Sequence, residues 1–345
     1  MMNTMGVIGS GAWGTTLALL LAKKGYATTL WEHHADRALE TQRRRENTEF
    51  LPGIHFPLTL QVTSSLEQAV AGKTMILMVT PSQKMRENLR SLLPFLAPET
   101  LVVNASKGIE LDTLKRMTEV LEEEIPNARA RIATLSGPNL SSEVAQEKPT
   151  GAVVAALVPE VAIQIRTLLT THYFRVYTST DVPGVELGGA LKNIIAIGAG
   201  IIDGLEFGEN AKAAFITRGL AEISRLGIAA GANPLTFLGM AGIGDLVATC
   251  ASPLSRNQQL GRRLARGEKL TEILQSTHSI AEGVTTTRAA LQLAARYQVE
   301  MPIAELLGQI FFDELDPLKA VPELMLRDPK GELEGIMSAW VGGKG

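Results

Sequence analysis

The stretch Thr4-Met5-Gly6-Val7-Ile8-Gly9-Ser10-Gly11-Ala12-Trp13-Gly14-Thr15-Thr16-Leu17-Ala18 decides the fold. A short run rich in apolar and β-branched residues, Thr4–Ile8, leads straight into a G-x-G-x-x-G, and Thr15–Lys24 continues with helical spacing. In that setting Gly9 allows a tight turn, Gly11 lets the backbone approach a pyrophosphate, and Gly14 lets helix and strand pack closely. The helix start then offers unpaired N–H groups and partial positive charge to an anion. A second strand-like run ends at Leu30-Trp31-Glu32-His33-His34, about 20 residues on, where an acidic side chain can accept from a ribose hydroxyl. The plainer alternative leaves Glu32 facing solvent and His33 lining an adenine pocket. Arg43-Arg44-Arg45 reads as an exposed helix end rather than a phosphate clamp.

Outward from this unit the pattern repeats. Strand-like runs fall at Thr28–Trp31, Leu58–Thr63, Thr74–Val79, Leu101–Ala105, Arg131–Leu135, Ala152–Val158 and Tyr173–Tyr177. Between them lie helically spaced segments such as Gln83–Phe95, Thr113–Glu124 and Pro159–Thr171. Alternation of this kind predicts an α/β, Rossmann-type, doubly wound sheet. Continuous apolar strands such as Met75–Val79 predict a sheet covered on both faces. After Val182-Pro183-Gly184 the strand signals stop. Helices are expected around Val185–Ile202, Ala211–Ala230, Arg256–Arg266, Val284–Tyr297, Ile303–Glu314 and Leu318–Arg327. The predicted organisation is a dinucleotide-binding domain at 1–184, an all-α C-terminal domain at 185–330, and a glycine-rich tail at 331–345 expected to be partly disordered. No internal repeat is present.

Composition bounds the partners. The chain has 345 residues, enough for two domains of about 150. Its 33 basic and 36 acidic residues leave no summed field for nucleic acid or an anionic membrane. The single cysteine, Cys250, forms no internal disulfide and reads as a small packed hydrophobe in a cytoplasmic protein. Strongly apolar stretches, Thr16–Ala22 and Ile194–Ile202, are shorter than the roughly 20 residues of a membrane span. Leu17–Leu21 is followed by Lys23-Lys24, unlike a signal peptide. No metal-ligand spacing and no Ser/His/Asp signature occurs.

Ligands of doubly wound sheets bind outside the carboxyl ends of the strands. Polar clusters at such positions are Thr80-Pro81-Ser82, Ser106-Lys107-Gly108 and Ser136-Gly137-Pro138-Asn139. Lys107 is a candidate for an oxyanion or phosphate, or else a surface lysine in a turn. Lys192 is more telling, since no other side chain in Leu187–Ile197 ionises. Its helical neighbours Gly188, Gly189, Ile195, Ala196 and Ala199 offer no counter-charge. Desolvation lowers a lysine pKa and makes it a usable proton acceptor near neutrality. The alternative is snorkelling from a helix end, but the flanking glycines and Asn193 favour room for a ligand. Asp203, eleven residues on, returns to nearly the same face. Gly239–Asp245 is a glycine-spaced run ending in a carboxylate, and Ser255-Arg256-Asn257 opens a helix with the residue best shaped for phosphate. Glu282-Gly283 precedes another helix.

These clusters, in this order, resemble the bacterial-type NAD(P)-dependent glycerol-3-phosphate dehydrogenases. The matching stretches run from Gly9–Gly14 through Asn104–Gly108, Ser136–Pro138, Pro149-Thr150, Phe174–Tyr177, Gly184–Gly204, Asn210–Gly227, Gly239–Cys250 and Ser255–Asn257 to Glu282-Gly283. The resemblance implies reversible hydride transfer between glycerol 3-phosphate and NAD or NADP, usually by a homodimer that supplies phospholipid synthesis. It implies a general acid/base at Lys192 and contacts of Lys107 with both cofactor and substrate. Gly137, Asn139, Asp245, Ser255, Arg256 and Asn257 would line the substrate site, with Arg256 also near the cofactor. Trp13, His33, Ser141, Ile280 and Glu282 fall at cofactor positions. Ala12 stands where the family usually has serine, Asn139 replaces serine or threonine, and Ser141-Ser142 replaces an Ala-Lys pair. Glu32 leaves the choice of NAD or NADP open. Other two-domain reductases of 3-hydroxy acids or ketopantoate, which have no need of an Arg256–Asn257 phosphate pair, are the rival enzyme reading. A nucleotide sensor without turnover is the non-enzymatic one.

Overall fold

Neighbouring residues of the central strands serve different cores. A computed structural model describes residues 3–276, 282–326 and 331–332. Ile280 and the tail beyond residue 332 lie outside the described residues. Eight strands form one sheet: β1 (Thr4–Ile8), β2 (Ala27–Trp31), β3 (Leu60–Thr63), β4 (Met75–Met78), β5 (Leu101–Asn104), β6 (Ile132–Ser136), β7 (Thr150–Ala156) and β8 (Phe174–Ser179). Their order is β3-β2-β1-β4-β5-β6-β7-β8. Every pairing is parallel except β6 with β7. In β1 Met5 and Val7 enter one core and Ile8 the other; in β4 Met75 and Leu77 part from Ile76 and Met78 in the same way. This two-sided burial is why those strands read as unbroken apolar runs.

Helices cover both faces: α1 (Ala12–Lys23), α2 (Ala35–Arg44), α3 (Leu66–Val70), α4 (Met85–Leu92), α5 (Met117–Glu124), α6 (Ser141–Ala145) and α7 (Pro159–Leu169). The sheet and these helices make one compact unit, Met1–Ser106 with Met117–Val182. The second unit is Lys107–Arg116 with Pro183–Gly345. Residues 107–116 therefore belong to the helical unit, whereas their sequence neighbourhood assigns them to the first domain. The helix expected from Thr113 starts instead at Met117, with Leu114 held in the left-handed region at φ 59.

The helical unit is built on α8 (Val182–Gly204). It is followed by α9 (Glu209–Ala229), α10 (Asp245–Ala251), α11 (Arg256–Ala265), α12 (Leu270–Ser276), α13 (Glu282–Tyr297), α14 (Pro302–Phe312) and α15 (Pro317–Met325). α8 has 23 residues and a mean hydropathy of 1.5 across its most apolar window, long and apolar enough to cross a bilayer. That window is entirely buried within the protein. Leu187, Leu191, Ile194, Ile195, Ile197 and Ile201 of α8 join Ile223, Phe237, Leu246 and Leu293 in one core, which also takes in Ile109.

Candidate active site

The glycine loop lies between β1 and α1. Gly9 has φ +115, and a Cβ there would stand 2.5 Å from the Val79 carbonyl oxygen. A Cβ on Gly14 would meet the Gly9 carbonyl oxygen at 1.8 Å. Both positions thus exclude any side chain. Gly11 instead faces open space and caps α1 without a side-chain bond. The leading N–H groups of a twelve-residue helix stand beside that open loop, which suits the pyrophosphate of a dinucleotide. Ala12 and Trp13 open this helix, and the Trp13 Nε1 is buried with no hydrogen-bond partner among the described residues.

Glu32 does not face solvent; it is 3% exposed. Its carboxylate accepts from the Ser10 hydroxyl, from the His34 N–H at 2.8 Å and from Arg37 Nη2 at 2.8 Å. Burial alone pushes this group up, but the three donors outweigh it and hold Glu32 below the usual carboxylate range. The glycine loop is thereby tied to the end of β2. Exposed His33 sits edge-on between Trp31 and His34.

At the end of β6, Gly137 adopts φ +132 with Ala152 Cα 3.0 Å from where a Cβ would stand. Both amide atoms of the Asn139 side chain are buried without a hydrogen-bond partner among the described residues. Ser141 begins α6, and its carbonyl accepts from Thr16 of α1 at 3.1 Å. α6 spans only five residues.

In the helical unit, three charged groups that are far apart in sequence form one row. Asp245, 1% exposed, accepts from Lys107 Nζ on Oδ2 at 2.6 Å and from Lys192 Nζ on Oδ1 at 2.7 Å. Thr249, one turn along α10, touches the same Lys192 amine and donates to the Asp245 carbonyl at 2.7 Å. Gly188 explains how Asp245 gets there. A Cβ at 188 would stand 2.5 Å from the Ala241 carbonyl oxygen, so the Met240–Gly244 turn can lie directly on α8 only because no side chain is present. Lys192 is thus provided with the counter-charge that its own helix lacks. Burial still dominates and brings its pKa down from 10.5 to about 8; Asp245 opposes that fall, and the like charge of Lys107 deepens it. A buried amine with this pKa exchanges protons near neutrality.

Asp203 is not part of this row. Its Oδ2 accepts from Lys212 at 2.8 Å, Gln258 at 2.7 Å and Arg262 at 3.2 Å. It shares a helix face with Lys192 but sits about 16 Å further along the axis, three turns away. Cys250 is fully buried, and burial pushes its thiol up to about 12, so it packs rather than reacts.

Ser255 caps α11, its hydroxyl accepting from the Gln258 N–H at 3.3 Å. Arg256 keeps an exposed surface, yet desolvation of its guanidinium lowers its pKa against the opposing charge of Glu282, and its side chain has no hydrogen-bond partner among the described residues. Asn257 donates to Asn193 Oδ1 at 2.9 Å, and its own Oδ1 is buried without a partner among the described residues. Asn193 adjoins Lys192, so this amide pair links the start of α11 to the helix carrying the amine. Glu282 is the first residue of α13. Sequence reading missed Thr249 and the Asn193–Asn257 pair. The spacing of Asp245 and Thr249, four residues apart, would have marked Thr249 had α10 been foreseen.

A dinucleotide loop on a doubly wound sheet, joined in one chain to a helical unit bearing a desolvated lysine, defines a two-unit dinucleotide-dependent oxidoreductase. The sequence matches the NAD-dependent glycerol-3-phosphate dehydrogenase N-terminus over residues 4–162 and the corresponding C-terminus over residues 181–322. The chain belongs to this family. Glycerol-3-phosphate dehydrogenase [NAD(P)+] of Geobacter metallireducens is 53% identical over 329 residues, covering 95% of this chain and 98% of the relative. The protein of that name from Dehalococcoides mccartyi strain 195 is 47% identical over 336 residues, 97% of this chain and 94% of the relative. The crystal structure of glycerol-3-phosphate dehydrogenase from Coxiella burnetii superposes with a TM-score of 0.90 at 37% identity, covering 94% of this chain and 99% of that one. A ketopantoate reductase from Ralstonia eutropha, at 15% identity and a TM-score of 0.57, shares the fold alone, with 92% and 99% of the two chains covered.

Proposed function

We infer that the protein transfers a hydride between C2 of sn-glycerol 3-phosphate and NAD(P)+, reversibly giving dihydroxyacetone phosphate. Family membership over nearly the whole chain supports the reaction, and the Lys107–Asp245–Lys192 row is the observation that carries its mechanism. The glycine loop from Gly9 to Gly14, with Trp13, Glu32 and His33, would hold the dinucleotide. When bound, the nicotinamide supplies or accepts the hydride.

Lys192 moves the proton. In reduction its ammonium donates a proton to the C2 oxygen as the carbon is reduced, leaving a neutral amine that Thr249 and Asp245 keep in place. In oxidation the neutral amine takes the hydroxyl proton back. Burial, helped by Lys107, favours the neutral amine and Asp245 the ammonium, so together they keep both forms accessible. Lys107 is suited to contact the substrate oxygen, and Arg256, whose guanidinium has no hydrogen-bond partner among the described residues, to take the phosphate. Gly137, Asn139, Ser255 and Asn257 complete the substrate set, with Ser141 and Glu282 on the cofactor side. Phosphate binding remote from C2 is then used to position the reacting carbon.

The domain at 1–184 supplies dinucleotide binding; the one at 185–330, together with Lys107, supplies substrate chemistry and dimerisation. A cytoplasmic homodimer feeding phospholipid synthesis is the setting that the resemblance and the lone buried cysteine favour. The test is dihydroxyacetone phosphate reduction with NADH and NADPH in parallel, against unphosphorylated dihydroxyacetone. Substrate-dependent loss of nicotinamide absorbance, with kcat as well as affinity lost without the phosphate, is expected. Equal turnover of both substrates, or binding of NADH with no turnover, contradicts the reading.

A further inference from the structure

Lys107 reaches Asp245 from a segment whose construction is more elaborate than a connection needs. Residues 107–116 fold back on themselves: Ile109 and Arg116 form an antiparallel bridge, the Glu110 N–H donates to the Lys115 carbonyl at 3.0 Å, and the Leu114 N–H to the Glu110 carbonyl at 2.8 Å. Ile109 is buried in the helical core, with Leu111 and Leu114 packed against it. At its far end Arg116 Nη1 donates to Glu186 Oε2 at 2.7 Å, and the two side chains are only 17% and 4% exposed. Glu186 lies on α8, six residues before Lys192, or about 9 Å along the axis. One rigid helix therefore carries both the buried amine and the anchor of the segment that brings up Lys107.

Burying an ion pair in an apolar helix contributes little net stability, because desolvation offsets the attraction, whereas fixing one element's register against another is its best attested use. We propose that the Arg116–Glu186 pair is a positioning device for the reaction, setting where Lys107 meets Asp245 beside Lys192. This rests on the reading above, in which Lys192 exchanges the proton. Among the described residues, the charged and titratable groups that act on Lys192 are Asp245 and Cys250 from α10 and Lys107 from the segment, with the Thr249 hydroxyl beside the amine. Of these, only Lys107 is held by the device. When the pair is broken, Lys107 withdraws, its repulsion of the Lys192 ammonium weakens, and the amine holds its proton to higher pH.

The experiment compares Arg116→Met, Arg116→Lys and Glu186→Gln with the wild-type enzyme by kcat, KM, the pH profile of dihydroxyacetone phosphate reduction, and the thermal midpoint. For Arg116→Met a fall in kcat of about 10-fold or more is expected, with KM for NADH unchanged. The pH inflection should move up from about 8, and Arg116→Lys should recover part of both effects. If Arg116→Met does not fold, Glu186→Gln, which keeps the shape and one acceptor, carries the same expectations. Variants that lose thermal stability yet keep the wild-type kcat and inflection would reduce the pair to a structural brace and overturn the proposal. Because each variant is scored against wild type, failure here is distinct from absence of the reaction, which the wild-type assay reports on its own.

Discussion

Replacing Asp245 by asparagine keeps the shape of the side chain and removes the charge between two lysines. In the wild type, burial lowers Lys192 from 10.5 to about 8, which corresponds to roughly 3 kcal/mol in favour of the neutral amine. About nine-tenths of the amine is then protonated at pH 7 and about one-tenth at pH 9. Reduction, which needs the proton donor, should fall about tenfold across that interval, and oxidation should rise about tenfold. Asp245 lies 2.7 Å from the amine and holds the pKa up against burial. Without its charge, Lys192 keeps the Thr249 hydroxyl and the repulsion of Lys107, so its pKa falls below 8. Breaking a buried pair costs about 3–5 kcal/mol, and even a third of that moves the inflection by a full pH step. The amine also loses an orienting contact, so kcat should drop by about 10²-fold. At pH 7 reduction should therefore suffer more than oxidation. Initial rates in both directions over roughly pH 6–10 read all of this. An inflection that stays at the wild-type pH, or moves up, refutes the reasoning.

Two further predictions concern groups outside the proton transfer. Glu222, 2% exposed, accepts from the Ile303 and Ala304 N–H groups that start α14. Burial pushes it up to about 7 despite those donors. A raised carboxyl stabilises the fold fully below its unfolded value of 4.5 and loses that contribution as pH rises through 7. Glu222→Gln should thus be more stable than wild type at pH 8, by up to about 3 kcal/mol, with a higher thermal midpoint and a flatter pH dependence; parallel melting curves from pH 5 to pH 8 would count against it. Gly188→Ala places a methyl 2.5 Å from the Ala241 carbonyl oxygen, which must push the turn before Asp245 off α8. Its kcat should fall about 10- to 100-fold while NADH affinity measured by fluorescence stays within about twofold; wild-type kcat would mean that the turn yields without moving the carboxylate.

The sheet was legible because its strands obey local rules. Met75–Met78 is apolar at every position because both faces are covered, and the Gly9–Gly14 loop announces itself by where it falls between strand and helix. Lys192 stood out as the one ionisable side chain in an apolar stretch. The residues' own pattern could not bring Asp245 to Lys192, and only the family resemblance linked the two; Asp245 lies 53 positions away and arrives through a turn whose seating depends on the missing side chain of Gly188. Periodicity placed Asp203 on the Lys192 face, three turns away, but could not show that Lys212, Gln258 and Arg262 hold it there instead. The segment 107–116 was misassigned for a related reason. Thr113–Glu124 has helical spacing throughout, but Ile109 is drawn into the second core and Arg116 onto Glu186, and the helix starts only at Met117. Ser255 shows the opposite case, where a residue singled out for substrate also has a plain structural task as a helix cap.

The account turns on the Lys192 amine, and turnover of Lys192→Ala measures it most directly. Single-turnover reduction of dihydroxyacetone phosphate, alongside NADH binding by fluorescence titration, should show the rate down by about 10²-fold or more with NADH affinity nearly unchanged. Turnover near the wild-type rate in that variant would mean that the proton comes from elsewhere and that the buried row holds the fold together without taking part in the chemistry.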